Sequence, residues 1–255
     1  MSQEEKNDPL NNSVAKAITI LNCFSYDRPR LRLKDIASLT GINQATAYRM
    51  LHTLKTFNLI DQHEGAYCLG NGFLSYNGIV LQSMYVRQVA LPFMEDFSNI
   101  LNVGINLTIR DGLEIVYVGR SEASRSSYAY FHVGMRRPLY CTASGKVLIC
   151  YQPELANDIY SRPVPRYTLN TITDKEAFVR ELETTKLRGY GVDKEEFSNG
   201  LNCIATPLMD ATGEIIATIS VVAPTSTHSW DKLTETIPYL MDYSHRISAR
   251  LGGCL

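Results

Sequence analysis

Hydrophobic positions recur at helical spacing in the first third of the chain and predict a pair of short helices. The pair lies between residues 33 and 55, where two apolar stripes are separated by Gly41 and Ile42. A glycine at such a point supplies the positive φ at which many helices end, and Asn43 is a good cap for the next helix. Each stripe repeats every three or four residues, as expected of helices that bury one face. The pattern therefore predicts a helix-turn-helix.

The segments on either side complete a small domain. An amphipathic segment, Val14–Phe24, predicts an earlier helix with Ser13 as its cap. Later, two short apolar runs on either side of His63-Glu64-Gly65 predict a β-hairpin. Three helices followed by a hairpin make a winged helix-turn-helix, which we place at residues 13–72. Residues 1–12 are polar and are expected to form a flexible arm.

The rest of the chain mixes helical and strand patterns. Residues 73–87 have a large apolar face and predict a linker helix, which either pairs with its copy in a dimer or packs on its own chain. Residues 88–255 form the second domain. Its predicted helices are Gln88–Leu101, Cys141–Tyr151, Lys175–Arg188 (starting at Asp174 and ending at Gly189) and Trp230–Leu251. Its predicted strands are Ile105–Arg110, Leu113–Gly119, Leu201–Met209 and Glu214–Val222. We therefore expect an α+β protein.

Composition narrows the function classes only in part. The net charge of −1 gives no global sign of nucleic-acid binding, so a basic surface has to be local. Between Pro9 and Asn77 there are seven Lys and Arg residues against four Asp and Glu residues. No apolar run approaches the roughly 18 residues of a membrane span, and the start is too polar for a signal peptide. The six cysteines are scattered without a Cys-x-x-Cys pair, as expected of a cytoplasmic protein with reduced thiols.

The outward face of the second helix of the pair carries groups that can read DNA. Amide, hydroxyl and guanidinium groups at the start of such a helix can reach base edges in a major groove. The candidate DNA-contact residues are Gln44, Thr46, Tyr48, Arg49 and Lys55, with Arg32 as a backbone contact before the helices. Each of three residues also has an alternative role. Arg49 could form a surface ion pair, Tyr48 could pack on the first helix, and Arg32 could lie in a solvated loop.

Enzyme chemistry finds little support in the sequence. Cys203 with His132 or His228 has no catalytic spacing, and no glycine-rich phosphate loop is present. Cys141, Cys203 and His132 also lack the spacing of a metal site, so we expect no metal and no cofactor. The alternatives to a DNA-binding regulator are a winged-helix protein-interaction module with a ligand-sensing domain and a cysteine-dependent small-molecule enzyme.

Several motifs, in one order and at fixed spacing, resemble the IclR family of bacterial transcription regulators. The resemblance runs from Ser13 to Leu251. It is carried by Leu33-x-x-Ile36-Ala37-x-x-Thr40-Gly41-Ile42, Thr46-x-x-Arg49-x-Leu51-x-x-Leu54, Leu139-x-x-x-Ala143-x-Gly145-Lys146, Arg188-Gly189-Tyr190-x-x-Asp193-x-Glu195-Glu196 and Gly200-x-x-Cys203-Ile204-Ala205-x-Pro207. It implies a GAF-like effector-binding domain behind the winged helix, and a dimer or dimer of dimers on a palindromic double-stranded operator. It also implies a small organic acid as effector, in the control of a catabolic operon.

The resemblance further implies which residues bind the effector. The backbone N–H groups of Ala143 and Ser144 are expected to take its carboxylate, because a helix start favours anions. Asp193 is expected to accept a hydrogen bond from the ligand, and Cys203 to face it. Leu201 and Ser220 match other pocket-lining positions. The alternatives are tight helix packing at Ala-Ser-Gly, a turn cap at Asp193, a small buried hydrophobe at Cys203 and ordinary core at Leu201.

Two features of this chain bear on the class of ligand. Val222 stands where the family can carry a hydroxyl group, which indicates a less polar pocket or a different ligand. An aromatic wall before the pocket helix would favour an aromatic or larger organic acid over a two-carbon one. The residues proposed for that wall are Tyr128, Tyr130, Phe131 and Met135.

Overall fold

The computed structural model describes residues 10–122 and 131–253, and the chain divides into two compact units, Met1–Ser83 and Met84–Leu255. Both units combine helices with an antiparallel sheet, so the expected α+β class is confirmed. Within the described ranges, no helix has both the length and the apolar character needed to cross a membrane.

The first unit is a winged helix-turn-helix. Its helices are α1 (Asn12–Leu21), α2 (Leu33–Thr40), α3 (Gln44–Thr56) and α4 (Gly72–Ser83). Its strands are β1 (Leu31–Arg32), β2 (Ile60–His63) and β3 (Ala66–Leu69), in the order β1-β3-β2 with antiparallel neighbours. The hairpin β2–β3 forms the wing, and α2 with α3 forms the helix-turn-helix.

Local signals explain why the sequence folds in this way around α2 and α3. Gly41 ends α2 in the left-handed region with φ of 68°. The side chain of Asn43 then accepts a hydrogen bond from the Thr46 backbone at 2.9 Å and caps α3. Ile36 and Leu51 are fully buried, so each helix turns its apolar stripe into the shared core. The predicted helix-turn-helix is confirmed.

Two details before this pair differ from the sequence expectation. The cap of α1 is Asn11, whose side chain accepts hydrogen bonds from the backbone N–H groups of Ser13 and Val14, so Ser13 lies within the first turn. Arg32 lies in β1 rather than in a solvated loop, and its backbone N–H donates to Asp35 Oδ2 at 3.2 Å. A strand of two residues is too short to leave an alternating pattern in the sequence.

The linker region is divided differently from the expectation. Instead of one helix over residues 73–87, α4 ends at Ser83, Met84 is extended, and a second helix begins at Tyr85. This second helix belongs to the second compact unit. No residue of α4 is buried, and its exposed side chains include several large apolar ones.

The second unit is built on a six-stranded antiparallel sheet in the order β6-β5-β4-β9-β8-β7. Its strands are β4 (Gly104–Asp111), β5 (Glu114–Ser121), β6 (Arg136–Pro138), β7 (Gly191–Lys194), β8 (Leu201–Met209) and β9 (Ile215–Pro224). Its helices are α5 (Tyr85–Leu101), α6 (Ala143–Ile149), α7 (Leu155–Ile159), α8 (Lys175–Arg188), α9 (Trp230–Thr234) and α10 (Ile237–Arg250).

The two faces of this sheet are covered by different helices. Paired residues of antiparallel strands project to the same face. Leu107 and Ile219 are such a pair, fully buried on the face that packs against α5 and α10. The next residues, Asn106 and Ser220, project to the opposite face, where α6 packs on Ala205. This second face is therefore the polar one, and it carries the cavity described below.

The end of the chain corrects one expected helix. The segment predicted as a single helix from Trp230 to Leu251 is two helices, α9 and α10, with Glu235 and Thr236 between them. Pro238 occupies the first turn of α10. A proline is tolerated there, because the first turn of a helix needs no intrahelical N–H donor. The short elements β6, β7 and α7 were not predicted.

Candidate ligand cavity and nucleic-acid interface

A cavity lies on the polar face of the large sheet, next to α6, and the empty space inside it and at its open mouth together is about 390 Å³. The six residues expected from the sequence to bind an effector all lie on its wall, although they come from four separate elements. They are Ala143, Ser144, Asp193, Leu201, Cys203 and Ser220. The fold therefore brings the six together, while their roles stay predictions.

The start of α6 places polar backbone groups at the cavity. The first N–H groups of a helix have no partner inside it. Thr142 caps α6 by accepting a hydrogen bond from the Gly145 backbone at 3.1 Å, which leaves the N–H groups of Ala143 and Ser144 in the first turn. Gly145 itself serves packing, because a Cβ there would lie 2.1 Å from the Leu139 carbonyl oxygen. Tight packing thus explains Gly145, whereas Ala143 and Ser144 border the cavity.

Asp193 is a buried carboxylate at the cavity wall, with 6% of its surface exposed. Its Oδ1 accepts a hydrogen bond from the Glu196 backbone at 2.7 Å, so the turn-capping role is real. Burial raises the pKa of Asp193 to about 7, and the nearby charge of Glu196 acts in the same direction, while the hydrogen bond opposes both. Near neutral pH this side chain is therefore about half protonated and can either accept or donate a hydrogen bond.

The thiol and the phenol of the wall, Cys203 and Tyr117, are neutral. Burial raises the pKa of the Cys203 thiol well above its ordinary value, and the same cause raises the pKa of Tyr117. A thiol that stays protonated is a poor nucleophile. Cys203 therefore behaves as a small, weakly polar side chain at the wall.

A buried ion pair fixes the turn that carries Asp193. Lys146 of α6 is almost fully buried, and its Nζ donates to Glu196 Oε1 at 2.5 Å and to the Val192 carbonyl at 2.8 Å. Glu181 of α8 lies 3.4 Å from the same Nζ. These contacts join α6 to β7 and to the loop after it. They therefore fix the position of Ala143 and Ser144 relative to Asp193.

The wall also includes residues that the sequence did not single out for the pocket. They are Ile115, Tyr117, Arg137, Thr142, Phe197 and Ser198. The basic run Arg136-Arg137 before Pro138 was visible in the sequence, but no periodicity marks β6 as a strand. Only the curled sheet shows that Arg137, on the β6 edge, reaches Phe197 near the opposite edge, with its Cζ 4.7 Å from the ring centroid.

The expected aromatic wall is present in part. Phe131 lines the cavity and packs on Tyr117, with ring centroids 5.2 Å apart. Met135 is instead a buried core residue. Tyr128 and Tyr130 lie outside the described residues. Val222 stands directly opposite Cys203 on the adjacent strand but is not part of the wall.

The nucleic-acid candidates lie on the exposed face of α3. Gln44, Tyr48, Arg49 and Lys55 are exposed and Thr46 is half-buried. Tyr48 keeps 53% of its surface accessible, so packing on α2 does not account for it. Arg49 forms no ion pair with any carboxylate of the described residues. The face is therefore available to a partner. Across the described residues, no cluster of His, Cys, Asp and Glu could hold a metal ion.

Comparisons with known proteins agree with this arrangement. Residues 13–64 match the IclR helix-turn-helix domain, and residues 78–249 match the C-terminal domain of the bacterial transcriptional regulator IclR. The chain is 32% identical over 222 residues to the HTH-type transcriptional regulator XynR of Escherichia coli K12, covering 86% of this chain and 88% of XynR. It is 28% identical over 245 residues to the regulator KipR of Bacillus subtilis, covering 95% and 98%.

A solved structure shares the fold. It is an IclR homolog from Microbacterium hydrocarbonoxydans complexed with 4-hydroxybenzoate, with a TM-score of 0.79, 24% identity, and coverage of 94% of this chain and 98% of that one. The winged helix, the cavity and the matches together define a DNA-binding transcriptional regulator with an effector-binding domain, and not an enzyme. The chain belongs to the IclR family of bacterial transcriptional regulators.

Proposed function

We propose that the cavity beside α6 is the effector site of this regulator and that the effector is a small organic acid. The observation that carries the proposal is the convergence of six expected residues on one wall. The N–H groups of Ala143 and Ser144, with the hydroxyls of Ser144 and Ser220, are the donors available to the oxygens of an acid. Asp193 adds a carboxyl group and Cys203 a thiol to the same wall, and Leu201 adds an apolar contact.

The shape of the wall favours an acid with an aromatic or otherwise large apolar body. Tyr117, Phe131 and Phe197 offer ring surfaces, and Ile115 adds an aliphatic one. Val222, next to Cys203, offers no hydroxyl group to a small polar ligand. Since buried rings contribute mainly through apolar area, the ligand should bury a comparable apolar face. The complex of a structural neighbour makes 4-hydroxybenzoate a suitable first probe.

The output of the protein is binding to double-stranded DNA through α3. Gln44, Thr46 and Tyr48 lie in its first turns, where a recognition helix meets base edges, and Arg49 can take a phosphate or a guanine. Two further residues, Lys55 at the end of α3 and Arg32 in β1, are expected to contact the phosphate backbone of the DNA. A protein that acts on an operator in this way works in the cytoplasm, and the control of a catabolic operon fits an organic acid as signal.

Self-association fits the exposed apolar surface of α4. Leu74, Tyr76, Ile79 and Val80 each expose at least half of their surface, and no residue of this helix is buried. Pairing of two copies through α4 would cover that surface and produce the two-fold symmetry that a palindromic operator requires. In this mechanism the effector favours one geometry of the dimer, or of a dimer of dimers, and so changes the affinity for the operator.

The test combines a ligand screen with DNA binding by the full chain. Organic acids including 4-hydroxybenzoate, benzoate, pyruvate and succinate are screened for a rise in melting temperature. Acids that raise it are then added to the chain bound to the upstream region of its own gene, and fluorescence anisotropy reports the change in affinity. The proposal requires at least one acid to act in both assays. Stabilisation without any effect on DNA binding would contradict it.

A further inference from the structure

Arg137 is a positive charge on the cavity wall that no described carboxylate neutralises. Its two arginine neighbours in this part of the fold are both satisfied. Arg136 pairs with Asp111 and with Glu114, and Arg120 donates to Asn106 Oδ1 at 2.8 Å and pairs with Glu122. Arg137 forms no such ion pair within the described residues.

The guanidinium group of Arg137 is nevertheless held in place. Its Nη1 donates to the Arg136 carbonyl at 3.0 Å, and its Cζ lies 4.7 Å from the ring centroid of Phe197. Its Nε is buried and finds no acceptor among the described residues. A guanidinium has five N–H donors, and a buried donor without an acceptor costs free energy. The Phe197 ring thus holds the Arg137 guanidinium group in place, while its Nε still lacks a hydrogen-bond acceptor among the described residues.

The cavity does not supply that acceptor itself. Asp193 is the one acidic residue among the described wall residues, its Oδ1 accepts from the Glu196 backbone, and it forms no ion pair with Arg137. The other polar side chains of the wall are hydroxyls and a thiol, and none of them carries a negative charge that could balance Arg137. A positive charge in a partly desolvated cavity is stabilised by an anion that enters it.

We propose that Arg137 pairs with the acidic group of the effector and is the residue that makes the cavity select acids over neutral compounds of the same shape. The inference rests on the proposed function, because it presumes that the cavity is the effector site. Planar guanidinium and carboxylate groups match in two parallel hydrogen bonds, and stacking on Phe197 fixes the plane in which the carboxylate is received. The neutral donors at α6 orient the acid, while Arg137 supplies the opposite charge.

The experiment compares an acid with its neutral counterpart by isothermal titration calorimetry of the full chain. The probes are 4-hydroxybenzoate and 4-hydroxybenzamide, with benzoate, pyruvate and succinate and their amides as further pairs. The wild-type chain should bind the acid and discriminate against the amide. Arg137→Gln should weaken binding of the acid about tenfold to a hundredfold, the range expected for a charged hydrogen-bonded pair, and leave the amide unchanged.

The matched control is Arg136→Gln, which removes the same charge from the neighbouring residue. Unlike Arg137, Arg136 pairs with Asp111 and Glu114. It should keep the wild-type preference for the acid. Without ligand, Arg137→Gln should unfold at the wild-type temperature or above it, because it removes an unbalanced charge. A drop of many degrees would instead show a structural role and overturn the inference.

The two proposals fail in different ways. If the wild-type chain binds an acid and Arg137→Gln binds it equally well, the pairing is wrong and the effector site stands. If the wild-type chain binds none of the acids, the organic-acid effector is wrong and the pairing falls with it. Loss of discrimination in both Arg137→Gln and Arg136→Gln would show a general effect of charge and would also overturn the pairing.

Discussion

Asp193 on β7 stands directly opposite Cys203 on β8, so their side chains project from the same face of the sheet into one cavity. The two residues are ten positions apart in the sequence, and the antiparallel register brings them side by side. A carboxyl group that titrates near neutral pH therefore borders a thiol that stays protonated. The electrostatic character of this side of the cavity depends on the protonation state of Asp193.

Binding of an acid should consequently depend on pH through Asp193. Its pKa of about 7 means that raising the pH from 6 to 8 adds a negative charge to the wall. Like charges at close range repel, so the affinity for 4-hydroxybenzoate should fall on the order of tenfold over this interval. Titration calorimetry at both pH values measures it. Asp193→Asn should flatten the dependence, and an equal fall in this variant would assign the effect to another group.

The stability of the protein should show the matching effect of Asp193. In the unfolded chain this carboxyl has its ordinary pKa of 3.8, and folding raises it to about 7, so the folded state binds the proton more tightly. Its contribution to stability is therefore fully present below pH 4 and is lost as the pH rises through about 7. Between pH 5 and pH 8 the wild-type chain should lose about 2 kcal/mol of unfolding free energy from this residue.

The comparison for that prediction is Asp193→Asn, which can still accept the Glu196 hydrogen bond. Urea unfolding at pH 5 and at pH 8 gives the change for each chain. The asparagine variant should lose less stability than the wild type between these values. Parallel losses would mean that Asp193 is ionised in the folded state throughout.

Filling the cavity from Cys203 should abolish the response to ligand. A phenylalanine at this position would occupy space next to Asp193, whereas a serine would keep the volume. Cys203→Phe should therefore show no rise in melting temperature with 4-hydroxybenzoate, and Cys203→Ser should retain most of it. Thermal shift of both variants is the measurement. Undiminished stabilisation of Cys203→Phe, with the fold intact by circular dichroism, would place the ligand elsewhere.

Removal of the Arg49 side chain should weaken DNA binding. Arg49 is exposed on α3 and forms no ion pair with the described carboxylates, so its charge is available to a phosphate or a guanine. Arg49→Ala should lose about tenfold or more in affinity for the operator, with a smaller salt slope if the contact is to phosphate. Lys175→Ala, which removes an exposed charge from α8, is the control. Equal binding by both variants would contradict the role of α3.

A charge on the apolar surface of α4 should prevent self-association. Ile79 is 67% exposed on a helix that buries none of its residues. Ile79→Glu should convert the proposed dimer to a monomer in analytical ultracentrifugation, because pairing would then bury an unpaired carboxylate. Leu187→Glu is the matched control, since Leu187 is 89% exposed on α8. An unchanged dimer in Ile79→Glu would assign self-association to a different surface.

Elements with local signals can be predicted from the amino-acid sequence alone. Gly41 and Asn43 mark the turn of the helix-turn-helix, and Asp174 and Gly189 mark both ends of α8, because caps and positive φ values are set by single residues. The hairpin at Gly112 was equally clear, with φ of 62°. The order and spacing of the motifs were enough to place the chain in its family.

Which side chains share the cavity, and in what state of charge, depends on how the whole chain packs. The strands β6 and β7 are too short to show a period, and Arg137 meets Phe197 because the sheet curls. The raised pKa of Asp193 depends on burial by residues far away in the chain. Desolvation and the distances between charges belong to the packed molecule, so no local pattern of the sequence contains them.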